Sequence, residues 1–426
     1  MKHLSIVCFL LCAFCAKAQD DAYFPPLDGS EWETVDPATL GWCTEELDTL
    51  QAFLDDRNTK GFLILYKGRI AVEYYFDTFT EDSLWVWNSA GKTLTAFTVG
   101  IAQQEGFLDI NDPASDYLGE GWTSCTPEQE NAITIWHQLT MTSGLNDQVP
   151  DVFCTDPECL GFLEPPGERW AYHNGPYTLL TQVVAAATGQ TWNQYVYDKV
   201  AGEIGMNGLY FPIGYNRIYI STPRDMARFG LLMLNNGNWD GNQLLTDQDY
   251  FEALTTPSQD LNESYGYLWW LNGQDSYMLP GIQFAFPGSL VPSAPDDMVA
   301  AIGKDSQLIN LVPSEDICVI RMGSTPDDAL VSISFNVDLW NLLSNLFCSE
   351  VAVAEKQAAD AMAYPLPANQ VVHLEGLPAD VEWSCYTLTG RQVASGNGRQ
   401  IDVSAFENGA YMVVTPQQRF RILVVH

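Results

Sequence analysis

Ser89 stands three residues ahead of Lys92 in the stretch Trp87-Asn88-Ser89-Ala90-Gly91-Lys92-Thr93. Residues three apart on a helix share a face, so the amine would lie within reach of the hydroxyl. Leu94, Phe97 and Ile101 follow at helical spacing, which predicts a helix running into the core. Burial disfavours a charged amine and lowers its pKa from about 10.4. The positive end of the helix dipole acts in the same sense. A neutral amine accepts a serine proton, whereas a charged one steadies a neighbouring anion. Alone, Ser-x-x-Lys is a weak pattern, even in a chain with only 8 lysines.

The pattern has company. Tyr172-His173-Asn174 reads as extended chain, in which Tyr172 and Asn174 project to one side and offer a phenol beside an amide. His173 would face the other way. His137 reads as a structural histidine and Glu168-Arg169 as a local surface pair. No Gly-x-Ser-x-Gly elbow, phosphate-binding glycine loop or His-Glu-x-x-His is present.

These groups need a scaffold, and the order of patterns supplies one. Residues 44–54 read as an amphipathic helix, and 62–76 as two β runs broken at Lys67-Gly68, a hairpin signal. Residues from about 89 to 260 read as helical and loop-rich, with Gly189 ending one helix. Strand patterns return at 265–271, 298–303, 307–313 and 317–323, with a turn at Pro313–Asp316, and a long helix over 329–347 closes the segment. The order predicts an α/β (α+β) fold: one antiparallel sheet made from both ends, flanked by helices, with an inserted helical domain. The first and last helices should run antiparallel on that sheet, which predicts a Cys43–Cys348 disulfide.

With this scaffold in place, the chain resembles the serine hydrolases related to class C β-lactamases and DD-peptidases. The likeness rests on Ser89-x-x-Lys92 and Tyr172-x-Asn174, and on Thr142-Ser143-Gly144-Leu145, residues 221–245 and the returning strands 303–323. It spans about residues 58–347. By that resemblance Ser89 would be the acylated nucleophile and Lys92 its proton acceptor. Tyr172 would be the shared base, then the acid that protonates the leaving group. Asn174 would orient substrate and hydrogen-bond Lys92. The oxyanion hole would use the backbone N–H groups of Ser89 and, with Gly303 as the strand glycine, of Lys304.

There is one departure. The family carries Lys-Thr-Gly on that strand, its lysine helping to bind a substrate carboxylate; counting back from Pro313, this chain has Ala301-Ile302-Gly303. Lys304-Asp305-Ser306 is out of register for the motif. The resemblance therefore implies a neutral ester or amide substrate, as in the esterase and aminohexanoate-oligomer hydrolase branches, and no cofactor. Two other readings stay open. One is a β-lactamase or DD-peptidase acting on β-lactams or peptidoglycan without that lysine. The other is a catalytically silent surface binding protein on the same scaffold.

Composition bounds the setting. Net charge is −35, from 19 basic and 54 acidic residues, which disfavours nucleic acid and anionic membranes as partners. Residues 1–18 have a charged start, an apolar run and a small-x-small end, which read as a secretory signal peptide too short to span a bilayer. No later segment reads as a membrane span. Of the 10 cysteines, 7 lie beyond it, so at least one thiol is unpaired; Cys154–Cys159 would close a small loop. Among the 7 later cysteines no Cys-x-x-Cys pair, and in the chain no histidine cluster, points to zinc or another metal.

The hydrolase segment is expected over 19–350, a weakly patterned linker over 351–363 and a small all-β sandwich over 364–426. That last segment resembles the C-terminal sorting domain of type IX secretion cargo, on its Tyr364-Pro-x-Pro-Ala368 opening, Leu388-Thr389-Gly390 turn and Asn408-Gly409-x-Tyr411 strand. The resemblance implies export through the periplasm to the cell surface or medium, with the type IX machinery as partner.

Overall fold

The computed structural model describes residues 22–325, 331–348, 362–364, 368–387, 391–406, 408–415 and 419–424. The expected signal peptide (1–18) and residues 351–361 of the expected linker lie outside this set. A first helix, α1 (Leu47–Asp56), buries Leu50 and Leu54. It leads into β1 (Thr59–Tyr66) and β2 (Arg69–Tyr75), which pair antiparallel. Lys67 and Gly68 both take positive φ, 48° and 81°. A two-residue turn of that kind matches the twist of the flanking strands, and glycine meets its second position without strain.

Four further strands complete the sheet: β3 (Trp270–Leu271), β4 (Val299–Gly303), β5 (Gln307–Val312) and β6 (Ile317–Gly323). The order is β2-β1-β6-β5-β4-β3, antiparallel throughout, with β1 beside β6. The two ends of the segment therefore interlock in one sheet, as the order of patterns implied. Successive side chains on β5 and β6 point to opposite faces. On one face Ile309, Leu311 and Cys318 meet the helix Pro223–Leu234 at Gly230. On the other, Asn310 exchanges hydrogen bonds with Asn336 and Arg321 lies over the Phe335 ring, both on the closing helix Ile333–Leu346.

That closing helix packs on α1. The packing brings Cys43 and Cys348 together in a disulfide, their Cα atoms 5.7 Å apart. Cys154–Cys159 forms as well, leaving Cys125, Cys318 and Cys385 as free thiols.

Within the mostly helical and loop-rich stretch 89–260, Leu209–Ile213 and Asn216–Ser221 form a hairpin, and the latter pairs with Trp85–Val86. Pro212 sits in the outer strand of this hairpin, where a missing N–H is tolerated. The expected surface pair Glu168-Arg169 is absent; Arg169 instead binds Asp147 at 2.7 Å, both side chains mostly buried.

The C-terminal segment forms a three-stranded and a four-stranded antiparallel sheet around one core containing Val372, Leu374, Cys385, Ile401, Val413 and Ile422. Its first strand, Met362–Tyr364, takes in two residues expected in the linker. Residues 365–367 and the Leu388-Thr389-Gly390 turn lie outside the described set, whereas Gly409 and Tyr411 stand on a central strand.

Candidate active site

Ser89 sits in a single 3-10 turn, Asn88–Ala90, that feeds the helix Gly91–Gln104. Trp87 anchors this turn. Its ring is fully buried, its indole N–H donates to Ser221 Oγ at 2.8 Å, and its backbone N–H donates to Tyr219 O. Asn88 follows at φ 48°, a left-handed conformation that aims the next residue out of the strand direction. Ser89 is partly exposed, while every residue of the helix from Gly91 to Ala102 is buried. The helix lies inside the core and carries Lys92 in, leaving that side chain 2% exposed.

The Lys92 amine donates to Ser89 Oγ at 2.9 Å and to Asn174 Oδ1 at 2.8 Å. It lies 4.0 Å from the centre of the Tyr177 ring and 5.0 Å from that of Tyr172. Burial pushes its pKa well below the ordinary lysine value. The aromatic faces favour the charged form and offset part of that cost. No carboxylate is recorded among the groups that act on it, so burial prevails.

Tyr172 arrives from the irregular segment 169–173, where His173 N–H donates to Ala171 O at 2.7 Å and makes a tight turn about Tyr172 in place of the expected extended chain. That segment is held by Ala171 N–H donating to Met141 O, and by Gln283 Nε2 donating to Trp170 O at 2.9 Å. Burial raises the Tyr172 phenol above the ordinary phenol value, while the neighbouring Ser89 hydroxyl acts the other way. Its ring stacks on Trp270 with centroids 5.8 Å apart, and Trp170 and Tyr265 pack edge-on to Trp270. A buried, stacked phenol has few alternative rotamers, which fixes its oxygen beside the serine.

Asn174 begins a short helix, Asn174–Thr178. Its Oδ1 accepts the hydrogen bond from the Lys92 amine, and its buried Nδ2 makes no hydrogen bond among the described residues. His173 turns away as expected, against Asp147, Arg169 and the Leu145 backbone, and burial lowers its pKa to about 4. His137 pairs with Thr134 in a helix cap, the structural role expected of it. The Cys154–Cys159 loop lies on this segment through Gly175 N–H donating to Val152 O.

The end of β4 closes the opposite wall. A Cβ built on Gly303 would lie 3.0 Å from Ser89 N, 2.9 Å from Ala90 N and 2.6 Å from Trp87 O. Only glycine fits so close an approach. Ala301, two residues earlier, shares that face, so the strand presents a methyl group there and no cation. Lys304 follows, exposed, at the start of the next turn. Ser89, Lys92, Tyr172, Asn174 and Gly303 are thus brought together.

Tyr177 is a neighbour that pattern reading missed. Its spacing of three from Asn174 on a helix start was the available signal. No group of three or more His, Cys, Asp or Glu able to hold a metal occurs among the described residues.

Residues 48–329 match the β-lactamase family model, and 362–421 match the secretion system C-terminal sorting domain. The first match covers well over half of the 426 residues: the chain belongs to the β-lactamase family, fused to a type IX secretion sorting domain. The chain is 25% identical over 194 residues to the β-lactamase of Escherichia coli (strain K12), covering 41% of this chain and 47% of that one. It thus spans about half the length of that relative. It is 22% identical over 340 residues to the 6-aminohexanoate-dimer hydrolase of Paenarthrobacter ureafaciens, covering 68% and 81%. A penicillin-binding protein homolog from Caulobacter crescentus shares the fold at TM-score 0.56 and 13% identity, over 74% of this chain and 98% of that one. Among the described residues no helix is long and apolar enough to cross a membrane.

Proposed function

We propose that the protein is an exported serine hydrolase that forms an acyl-enzyme at Ser89 and acts on a neutral ester or amide. The observation that carries this reading is the convergence of the buried Lys92 amine on Ser89 Oγ, 2.9 Å away, with the Tyr172 phenol neighbouring the same serine. Ser89 Oγ attacks the carbonyl carbon and its proton passes to the neutral Lys92 amine. The oxyanion is received by the N–H groups of Ser89 and Lys304. As the tetrahedral species collapses, the leaving group takes a proton through Tyr172. Water then attacks the ester at Ser89, releasing the acid and restoring the hydroxyl. The free Nδ2 of Asn174 is a donor for the acyl portion.

Ala301 supports a neutral substrate, since nothing at that position binds a carboxylate. The match to an aminohexanoate-dimer hydrolase supports an amide or ester in place of a strained lactam. The match to the Escherichia coli β-lactamase favours the second reading, β-lactam hydrolysis. The sorting domain supports delivery to the cell surface or medium, by way of the periplasm, with the type IX machinery as partner.

Turnover of a nitrophenyl ester and of a chromogenic cephalosporin by wild type and Ser89→Ala separates the readings. Ester turnover lost in the variant is expected. Cephalosporin turnover exceeding ester turnover would establish the second reading, and an inert wild type would point to a surface binding protein.

A further inference from the structure

We propose that Asn88 is a positioning residue that joins the two halves of the oxyanion hole, holding the turn after β4 in register with the nucleophile. The inference rests on the hydrolase reading above. Two peptide N–H groups, of Ser89 and Lys304, must face one oxygen, yet they belong to segments more than two hundred residues apart. Asn88 immediately precedes Ser89, and its Nδ2 donates to the carbonyl of Lys304 at 2.9 Å. One hydrogen bond thereby ties the residue before the first donor to the residue that carries the second.

The tie matters because the turn it grips does not hold itself. Asp305 and Ser306 both take left-handed φ, 60° and 55°. Consecutive non-glycine residues in that region persist only when their surroundings over-determine them. On the sheet side, Gln307 Nε2 donates to the carbonyls of Lys304 and Asp305 at 3.3 and 3.2 Å and to that of Gly323 at 2.6 Å. Arg321 Nη1 donates to the carbonyls of Asp305 and Ser306 at 2.5 and 3.1 Å. Among the described residues Asn88 supplies the side-chain grip from the nucleophile's side, and its own positive φ lets the amide reach across. Gly303 leaves no slack at this junction, because its backbone already lies against Ser89 N. A displacement of the turn therefore moves one donor relative to the other.

Asn88→Gly is the informative variant, since glycine accepts the positive φ and removes only the amide. Against a nitrophenyl ester, kcat should fall about 10- to 100-fold with KM within about twofold, the pattern of an interaction made in the transition state. The matched thionoester, whose larger, weakly accepting sulfur gains little from an oxyanion hole, should lose much less. The ester-to-thionoester ratio of kcat should therefore drop by a similar factor while the melting temperature stays near wild type. A purely structural role would slow both substrates alike. An unchanged kcat, or a loss that leaves the ratio intact, overturns the inference while the hydrolase reading stands. A wild type inert on both substrates overturns the hydrolase reading and this inference with it.

Discussion

Lys92 and Arg321 are both buried basic side chains, at 2% and 0% exposure, and they are held in opposite ways. The Lys92 amine has a hydroxyl, an amide oxygen and two aromatic faces around it. The Arg321 guanidinium spends its donors on the carbonyls of Arg57, Asp305, Ser306 and Ser324 and on Thr59 Oγ1. Burial lowers Arg321 to about 9, so it stays charged at neutral pH. Burial also pushes the Lys92 amine well below the ordinary lysine value, and it has fewer acceptors around it. The difference teaches that a buried basic group with saturated partners serves as a brace, whereas one left short of them suits the proton-accepting role proposed for Lys92.

Substituting each basic side chain tests the contrast. Lys92→Met should reduce ester turnover by about 10³- to 10⁴-fold, the range of a lost general base, with folding retained by circular dichroism. In the wild type, turnover should fall as pH drops through the depressed pKa of Lys92, because the protonated amine cannot accept the serine proton. Stability follows the same group. The unfolded lysine binds its proton up to about pH 10.4, so between the folded and unfolded values the unfolded chain holds more protons and stability rises with pH. Urea titrations at several pH values should show that slope reduced in Lys92→Met.

Arg321→Leu should instead act on the fold, costing about 3 kcal/mol in urea denaturation by leaving several buried carbonyls without donors. The smallest effect should come from an exposed cation. Lys60 pairs with Asp77 at 2.7 Å, but their side chains are 25% and 69% exposed. Lys60→Ala should change stability by less than about 1 kcal/mol and leave turnover as it was. A Lys60 effect as large as that of Arg321 would remove burial as the deciding variable.

What was legible in the sequence follows from range. Ser89 and Lys92 are three residues apart, and the helix that buries them announces itself through Leu94, Phe97 and Ile101. The hairpin at Lys67-Gly68 and the returning strands were equally local. The Cys43–Cys348 link followed from placing the first and last helices together on one sheet. Roles that depend on distant partners left no such trace. Nothing in the run Ile317–Gly323 marks Arg321 as a brace, because most of its acceptors come from residues 57–59 and 305–306. Arg169 looked like the partner of its neighbour Glu168, yet folding delivers Asp147 to it. Asn88 carries its meaning in a backbone angle and a contact across 216 residues, neither of which periodicity encodes.

The central claim is that the hydroxyl at Ser89 is nucleophilic because the Lys92 amine beside it is neutral. Intact-mass spectrometry with a fluorophosphonate probe, followed by peptide mapping, tests this most directly. One adduct on the peptide containing Ser89 is expected, absent in Ser89→Ala and formed at least about 10²-fold more slowly in Lys92→Met. Labelling of Lys92→Met at the wild-type rate, or an adduct that persists in Ser89→Ala, would contradict the account.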